Sequence, residues 1–241
     1  MVNVSPAQEQ LGARLTAVLE RIAEAANASG REAEEVKLIA ISKTHPASVI
    51  KTLIGLGATD LGENRVQEAE EKITEIGHER VRWHLVGHLQ ANKARRAVNL
   101  FEVIHSIDSL DLARRLDRLC DEERREKLQV LIQVDLGHEE TKSGMDESEL
   151  THMVEGLQSL TRLDLIGLMT LPPFFDDAEQ SRPFFRRLRE LRDDFESRGA
   201  FGRRKGELSM GMTHDFEVAI QEGATMVRIG TAIFGERGQR Q

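Results

Sequence analysis

Two spacings of apolar residues divide the chain. Across residues 6–27 the positions Leu11, Leu15, Val18, Leu19, Ile22 and Ala26 recur every three or four residues, which predicts an amphipathic helix. Ser5 is placed to cap it, and Pro6 suits the first helical position, where its missing amide proton costs nothing. The pattern then changes to short apolar runs bounded by turn residues, which predict strands at 36–42, 59–62, 81–87, 102–106, 128–135, 163–170, 207–210 and 225–229. Helical spacing returns between them, at 47–56, 65–76, 91–99, 109–127, 147–160, 177–198 and 214–222. Within the 177–198 stretch, Phe184, Leu188 and Leu191 read as the buried stripe of a helix packed outside the strands.

Strand and helix alternate about eight times, and a chain of 241 residues is close to the ~250 that a closed (β/α)8 barrel needs. An open sheet would use fewer strands. No low-complexity linker interrupts the series, so the expected fold is α/β, a single (β/α)8 TIM barrel over residues 1–241 with an extra N-terminal helix. Barrel chemistry sits where the strands exit into the following loops. The polar residues at those exits are Lys43, Glu63-Asn64-Arg65, His88-Leu89-Gln90, His105, Asp135, Thr170, Ser209 and Gly230-Thr231.

Composition narrows the classes. Apolar residues at 39% support a core, and charged residues at 31% give a solvated globular surface. The formal net charge of −8 argues against nucleic acid as a partner. Arg124-Arg125, Arg186-Arg187 and Arg203-Arg204-Lys205 mostly have acids close by and read as solvated surface. Cys120 is the single cysteine, so no intramolecular disulfide or thiolate cluster forms, and a reducing cytoplasm fits. No apolar stretch reaches the roughly 20 residues of a membrane span, and residues 1–30 are too charged for a secretory signal.

Lys43 ends the apolar run Val36-Lys37-Leu38-Ile39-Ala40-Ile41-Ser42. A lysine just beyond a buried strand sits where desolvation frees its amine to attack an aldehyde. Read alone it is more readily an exposed loop lysine. At the far end of the chain, Arg228 and Gly230 share one face of the last strand by two-residue alternation, so Arg228 can look into the barrel. The amides of Gly230 and Thr231, with the hydroxyls of Thr231 and Ser209, could hold a phosphate where barrels commonly place one, after strands seven and eight. Pyridoxal phosphate is the aldehyde cofactor that needs both features.

Six motifs sharpen this reading: Ile41-Ser42-Lys43-Thr44, Gly62-Glu63-Asn64-Arg65-Val66-Gln67-Glu68, Trp83-His84-Leu85-Val86-Gly87-His88-Leu89-Gln90-Ala91-Asn92-Lys93, His105-Ser106-Ile107-Asp108-Ser109, Leu208-Ser209-Met210-Gly211-Met212 and Val227-Arg228-Ile229-Gly230-Thr231-Ala232-Ile233-Phe234-Gly235. With them the chain resembles, over nearly its whole length, the pyridoxal phosphate homeostasis protein family, whose fold is similar to the N-terminal barrel of alanine racemase. The resemblance implies that Lys43 carries the cofactor as an internal aldimine. It also implies that Ser209, Gly230 and Thr231 hold the phosphate, with Met210 near it, that Arg228 meets the pyridine nitrogen, and that Asn64 lies beside the cofactor at the barrel mouth. A permanent cation at that nitrogen disfavours its protonation and weakens the ring as an electron sink. The implied role is a monomeric, non-catalytic cytoplasmic protein of vitamin B6 homeostasis, buffering pyridoxal phosphate or delivering it to apo-enzymes by transient contact. Alanine racemase needs a tyrosine from its second domain as a base, and this chain contains no tyrosine. The chain departs from the family in Thr213, where a serine is usual and the hydroxyl is kept, and in Asp135-Leu136-Gly137, where an asparagine-containing segment is frequent. Thr141-Lys142-Ser143-Gly144 looks like the family's following loop.

Two other readings stay open: a pyridoxal phosphate-dependent racemase working as a lone barrel, and a class I aldolase using Lys43 without a cofactor, which leaves Arg228 unexplained. His84 and His88 are four apart, which on a strand is roughly 13 Å, too far for one metal, so hydrogen bonding or pocket lining is expected. Asp176-Asp177 and Glu122-Glu123 read as solvated surface, and Cys120 as an inert thiol.

Overall fold

The computed structural model describes residues 5–137 and 143–235. Eight parallel strands, β1 (Lys37–Ile41), β2 (Asp60–Glu63), β3 (Arg82–Leu85), β4 (Val103–Ile107), β5 (Leu128–Val134), β6 (Leu163–Thr170), β7 (Glu207–Ser209) and β8 (Met226–Ile229), pair in chain order and close β8 onto β1. This is the expected (β/α)8 barrel. The helices around it are α1 (Pro6–Ala28), α2 (Ala47–Gly55), α3 (Val66–Ile76), α4 (Ala94–Leu100), α5 (Leu110–Glu122), α6 (Leu150–Gln158), α7 (Arg182–Ser197), α8 (Phe216–Gln221) and a short α9 (Thr231–Phe234).

Strand alternation sorts the side chains into two shells. Trp83, Leu85, Ile104, Leu208, Val227 and Ile229 point outward into the main core beneath the helices. The barrel interior holds a smaller cluster of Ile39, Ile41, Val86, Val103, Leu131, Ile166, Met169 and Met226. The alternate positions His84, His105, Ser209 and Arg228 are buried too, so polar groups stand where barrels usually stack branched apolar residues.

Helix ends follow local chemistry. At the start of α1, Ser5 and Gln8 form a reciprocal capping box. Helix α5 stops five residues short of the expected boundary because Arg124 turns left-handed at φ 58° and the Arg125 amide bonds back to the Cys120 carbonyl. The 91–99 and 177–198 stretches each open on a 3-10 turn before α4 and α7. The buried stripe of α7 runs through Phe185, Leu188, Leu191 and Phe195, which corrects Phe184; that ring is only half-buried and stacks on Phe175. Helix α9 has no counterpart among the expected elements, since four residues cannot display a helical period. Cys120 is fully buried, and burial pushes its thiol up to about 11, which keeps it protonated. Among the described residues no helix is long and apolar enough to cross a membrane. The Thr141-Lys142 part of the expected loop lies outside the described residues.

Candidate functional site

A cavity of about 460 Å³ opens at the end of the barrel where the strands exit. Lys43, Asn64, Arg228, Gly230 and Thr231 line it, joined by Thr44, His45, Phe174, Met212, Thr213 and His214. Ser209 and Met210 are not on its wall. Both are fully buried one layer below, and the Ser209 hydroxyl is already engaged by His105 and Arg228. The hydroxyl that reaches the cavity from this segment is that of Thr213.

The Lys43 side is built by β1, β2 and α3. Ser42, just before the lysine, donates its hydroxyl to Glu63 Oε1 at 2.6 Å. The Lys72 ammonium donates at 2.7 Å to each of three acceptors, the Ser42 carbonyl, Glu63 Oε1 and Glu68 Oε1. Glu68 in turn accepts the amide of Thr44, just after the lysine. Thr44 adopts φ 68°, a left-handed conformation that costs a β-branched residue energy and persists only where its surroundings impose it. Lys43 is therefore held between two residues tied to one buried ionic cluster. Burial raises the Glu63 carboxyl above its ordinary value, against the opposing pull of Lys72 and Ser42, and Glu63 Oε2 has no hydrogen-bond partner among the described residues. Burial also raises Glu68, but the bonds from Lys72 and the Thr44 amide leave it lowered overall.

The opposite wall comes from the β7–α8 turn and the start of α9. Gly211 turns the chain at φ 91°, and a Cβ there would lie 2.6 Å from Ala219 Cβ and 2.9 Å from Phe216 Cα, so glycine is required. Its carbonyl accepts the Arg228 amide at 3.0 Å, and the Asp215 carboxylate accepts the Met212 amide at 2.7 Å, which brings Thr213 over the barrel. Thr213 Oγ1 lies 3.4 Å from the Ala232 amide. In α9 the Ile233 and Phe234 amides bond the Gly230 carbonyl and the Ala232 amide meets Thr213, so the donors presented at the cavity are the first helical amide, that of Thr231, and the Thr213 hydroxyl. The imidazole of His45 stacks on Phe234 at 4.4 Å, and Arg14 of α1 donates to the Phe234 carbonyl at 3.2 Å. The extra N-terminal helix thus braces α9 against the Lys43 loop.

Arg228 forms the floor. Its Nη1 donates to Ser209 Oγ at 2.6 Å and its Nη2 to the Thr170 carbonyl at 2.9 Å. Burial brings its pKa down to about 10, which leaves it a cation at neutral pH. Behind it, His105 Nδ1 meets Ser209 Oγ at 2.9 Å, His105 Nε2 meets His84 Nδ1 at 2.9 Å, and His84 Nε2 meets Asp60 Oδ1 at 2.9 Å. Both imidazoles are fully buried, and burial holds their pKa values down, that of His105 well below the ordinary range. His84 and His88 do not converge: His88 bonds instead to Asp108 at 3.1 Å.

Sequence reasoning passed over Thr213 as a cavity residue, although its hydroxyl at the usual serine position was the available signal. It also assigned no role to Glu63 and Lys72. Their signal was a glutamate on an apolar strand followed nine residues later by a lysine on the apolar face of a helix. Chemically, the cavity sets one amine against hydroxyl and amide donors, over a buried cation.

Comparison with known proteins agrees with this architecture. The family described as alanine racemase, N-terminal domain, matches residues 14–238. A pyridoxal phosphate homeostasis protein of Aquifex aeolicus is 42% identical over 224 residues, 93% of this chain and 97% of that one. Its counterpart in Escherichia coli is 41% identical over 92% of this chain and 95% of that one. PipY of Synechococcus elongatus, solved with PLP bound, superposes with a TM-score of 0.81 at 36% identity, covering 94% of this chain and all of that one. An alanine racemase of Clostridium difficile shares the fold alone, with a TM-score of 0.73 at 18% identity, and this chain spans 58% of it. The chain belongs to the pyridoxal phosphate homeostasis protein family, built on the barrel of the alanine racemase N-terminal domain.

Proposed function

We propose that this protein binds pyridoxal phosphate covalently through Lys43 and serves intracellular vitamin B6 homeostasis by buffering the cofactor or passing it to apo-enzymes. The observation that carries the reading is one cavity of about 460 Å³ with Lys43 on one wall, Thr213 and the opening turn of α9 on another, and Arg228 at the floor. That volume is within the ~300–1,000 Å³ range of small-molecule sites. The donor set also fits: an amine for an aldehyde, amides and hydroxyls for a phosphate, and a guanidinium that can donate to a ring nitrogen. The PLP-bound relative supports the cofactor.

When bound, the cofactor supplies an electrophilic carbonyl and a potential electron sink. Lys43 would supply the amine that meets this carbonyl. Its neighbours Ser42 and Thr44 keep the amine aimed into the cavity. Thr213, Gly230 and Thr231 hold the phosphate; Ser209 and Met210 support that wall from beneath. Gly230 belongs there because a Cβ would approach the Ile41 carbonyl to 3.3 Å and crowd the gap between β1 and β8. Asn64 fixes the cofactor's flank. Arg228 donates to the ring nitrogen, and as a cation it keeps a proton off that atom, which suppresses carbanion chemistry. The absence of any tyrosine, the second base of alanine racemase, supports a carrier over an enzyme. We read residues 1–241 as one functional unit, monomeric and cytoplasmic, touching recipient enzymes only transiently; the inert thiol of Cys120 accords with a reducing compartment.

The decisive test adds pyridoxal phosphate to wild type and Lys43→Ala, records absorption, then reduces with borohydride and maps the adduct by mass spectrometry. The expected outcome is an imine band and a Lys43 adduct in wild type, and complete loss of both in the variant. An adduct elsewhere, or none, overturns the reading. Exchange of substrate α-protons with solvent deuterium across common amino acids would instead establish the racemase, and light scattering showing a stable dimer would overturn the monomer.

A further inference from the structure

We propose that Asp60, His84, His105 and Ser209 form a one-way hydrogen-bond chain that positions Arg228 and ties it to a carboxylate at the opposite end of the barrel. Arg228 is a buried cation with no carboxylate in ion-pair contact among the described residues; Asp215 favours its charge only through space, and its nitrogens are held by Ser209 and Thr170. A guanidinium can only donate, so Ser209 Oγ must accept from Nη1 at 2.6 Å. At the other end, Asp60 accepts from Thr59 Oγ1 at 2.8 Å and from His84 Nε2 at 2.9 Å. Burial raises the Asp60 carboxyl, but the bonds from His84 and Thr59 more than offset it, so it is ionised and an acceptor only.

These two ends determine every proton between them. His84 carries its proton on Nε2, so its Nδ1 is a bare acceptor and must receive His105 Nε2–H. His105 Nδ1 is then bare in turn and takes the Ser209 hydroxyl proton. The single neutral pattern that satisfies all four links runs from Arg228 through Ser209, His105 and His84 to Asp60. Lys37 and Arg82 face the two histidines from β1 and β3, and their charge adds to burial in keeping the imidazoles neutral. Chains of aligned hydrogen bonds polarise one another, so a carboxylate at the start of β2 acts on a guanidinium at the cavity floor. The Thr170 carbonyl fixes Nη2, and the guanidinium edge that remains faces the cavity.

The chain itself stands without a cofactor; its consequence for the ring nitrogen rests on the pyridoxal phosphate reading. The first measurement is therefore long-range proton–nitrogen NMR on histidine-labelled protein without cofactor. Wild type is expected to show His84 and His105 as neutral Nε2–H tautomers, and Asp60→Leu, which removes the terminal acceptor, to populate the second tautomer at both. Either histidine as Nδ1–H or doubly protonated in wild type, or tautomers unchanged in Asp60→Leu, overturns the chain. The second measurement loads nitrogen-labelled pyridoxal phosphate. Ser209→Ala should weaken its binding by about tenfold and move the ring-nitrogen resonance, and Ser209→Thr should restore both. An unmoved resonance in Ser209→Ala overturns the positioning role. The stated tautomers together with no Lys43 adduct would uphold the chain while sinking the carrier reading.

Discussion

Two buried polar assemblies lie beneath the same cavity and are built on opposite principles. Under Lys43, Glu63, Glu68 and Lys72 are charges in direct contact, and they act on the backbone through the Ser42 carbonyl and the Thr44 amide. Under Arg228, two imidazoles and a hydroxyl separate the two charged ends, and they act through the direction of their protons. The first places a lysine whose flexible stem needs a fixed root. The second holds a rigid planar cation that needs its edge aimed. A lysine can be positioned from its backbone, whereas a guanidinium has to be held at its nitrogen atoms.

The ionic assembly is the more brittle, and Lys72→Met tests it. Removing one partner of a buried pair leaves an uncompensated charge and costs about 3–5 kcal/mol. Glu63 already has a raised pKa in the fold, and without Lys72 it rises further. Below the ordinary carboxylate pKa both folded and unfolded chains are protonated and the variant is least penalised. As pH climbs above that value the unfolded chain ionises first, so the variant loses stability until Glu63 itself ionises. Denaturant titration should therefore show a deficit that grows from acid toward neutral pH, with the cofactor adduct at Lys43 forming more slowly. A deficit independent of pH would mean that Glu63 carries no charge to be compensated.

The hydrogen-bonded assembly has the opposite pH signature. Both histidines have lowered pKa values, so below about pH 6.5 the unfolded chain takes up protons that the folded one refuses, and stability falls. Wild type should lose stability on acidification through that window. His105→Asn should lose about 1–3 kcal/mol at neutral pH by leaving His84 and Ser209 short of a partner, and should show a shallower acid slope. Unfolding curves at several pH values separate the two effects, and an unchanged slope would mean that His105 titrates normally in the fold.

These contrasts also explain what could be read from the sequence. The barrel was legible because eight apolar runs alternate with helical spacing, and Lys43, Arg228 and Gly230 were legible because period two and strand exits fix where they face. Alternation also sends His84, His105 and Ser209 into the barrel interior. It cannot say that they meet, because their partners lie on different strands, with His105 and Ser209 104 positions apart. Ser209 and Met210 were placed one layer too high for a similar reason. The turn at Gly211 carries the chain onward, so the residues that reach the cavity are the next three, Met212, Thr213 and His214.

The smallest expected effect refines that last point. Thr213→Val keeps the shape of the side chain and removes only its hydroxyl, which sits on the wall rather than in either buried assembly. The fold should keep its stability within about 0.5 kcal/mol, because the 3.4 Å contact to the Ala232 amide is long and solvent can replace it. Binding should weaken up to about tenfold, the worth of one hydrogen bond to a charged group, and Thr213→Ser should bind as wild type does. Equilibrium titration with pyridoxal phosphate reads both values. Unchanged affinity in Thr213→Val would return the phosphate to the backbone donors of Gly230 and Thr231 alone, and would leave the cavity's two walls unequal: one set by side chains tied to Lys72, the other by main chain.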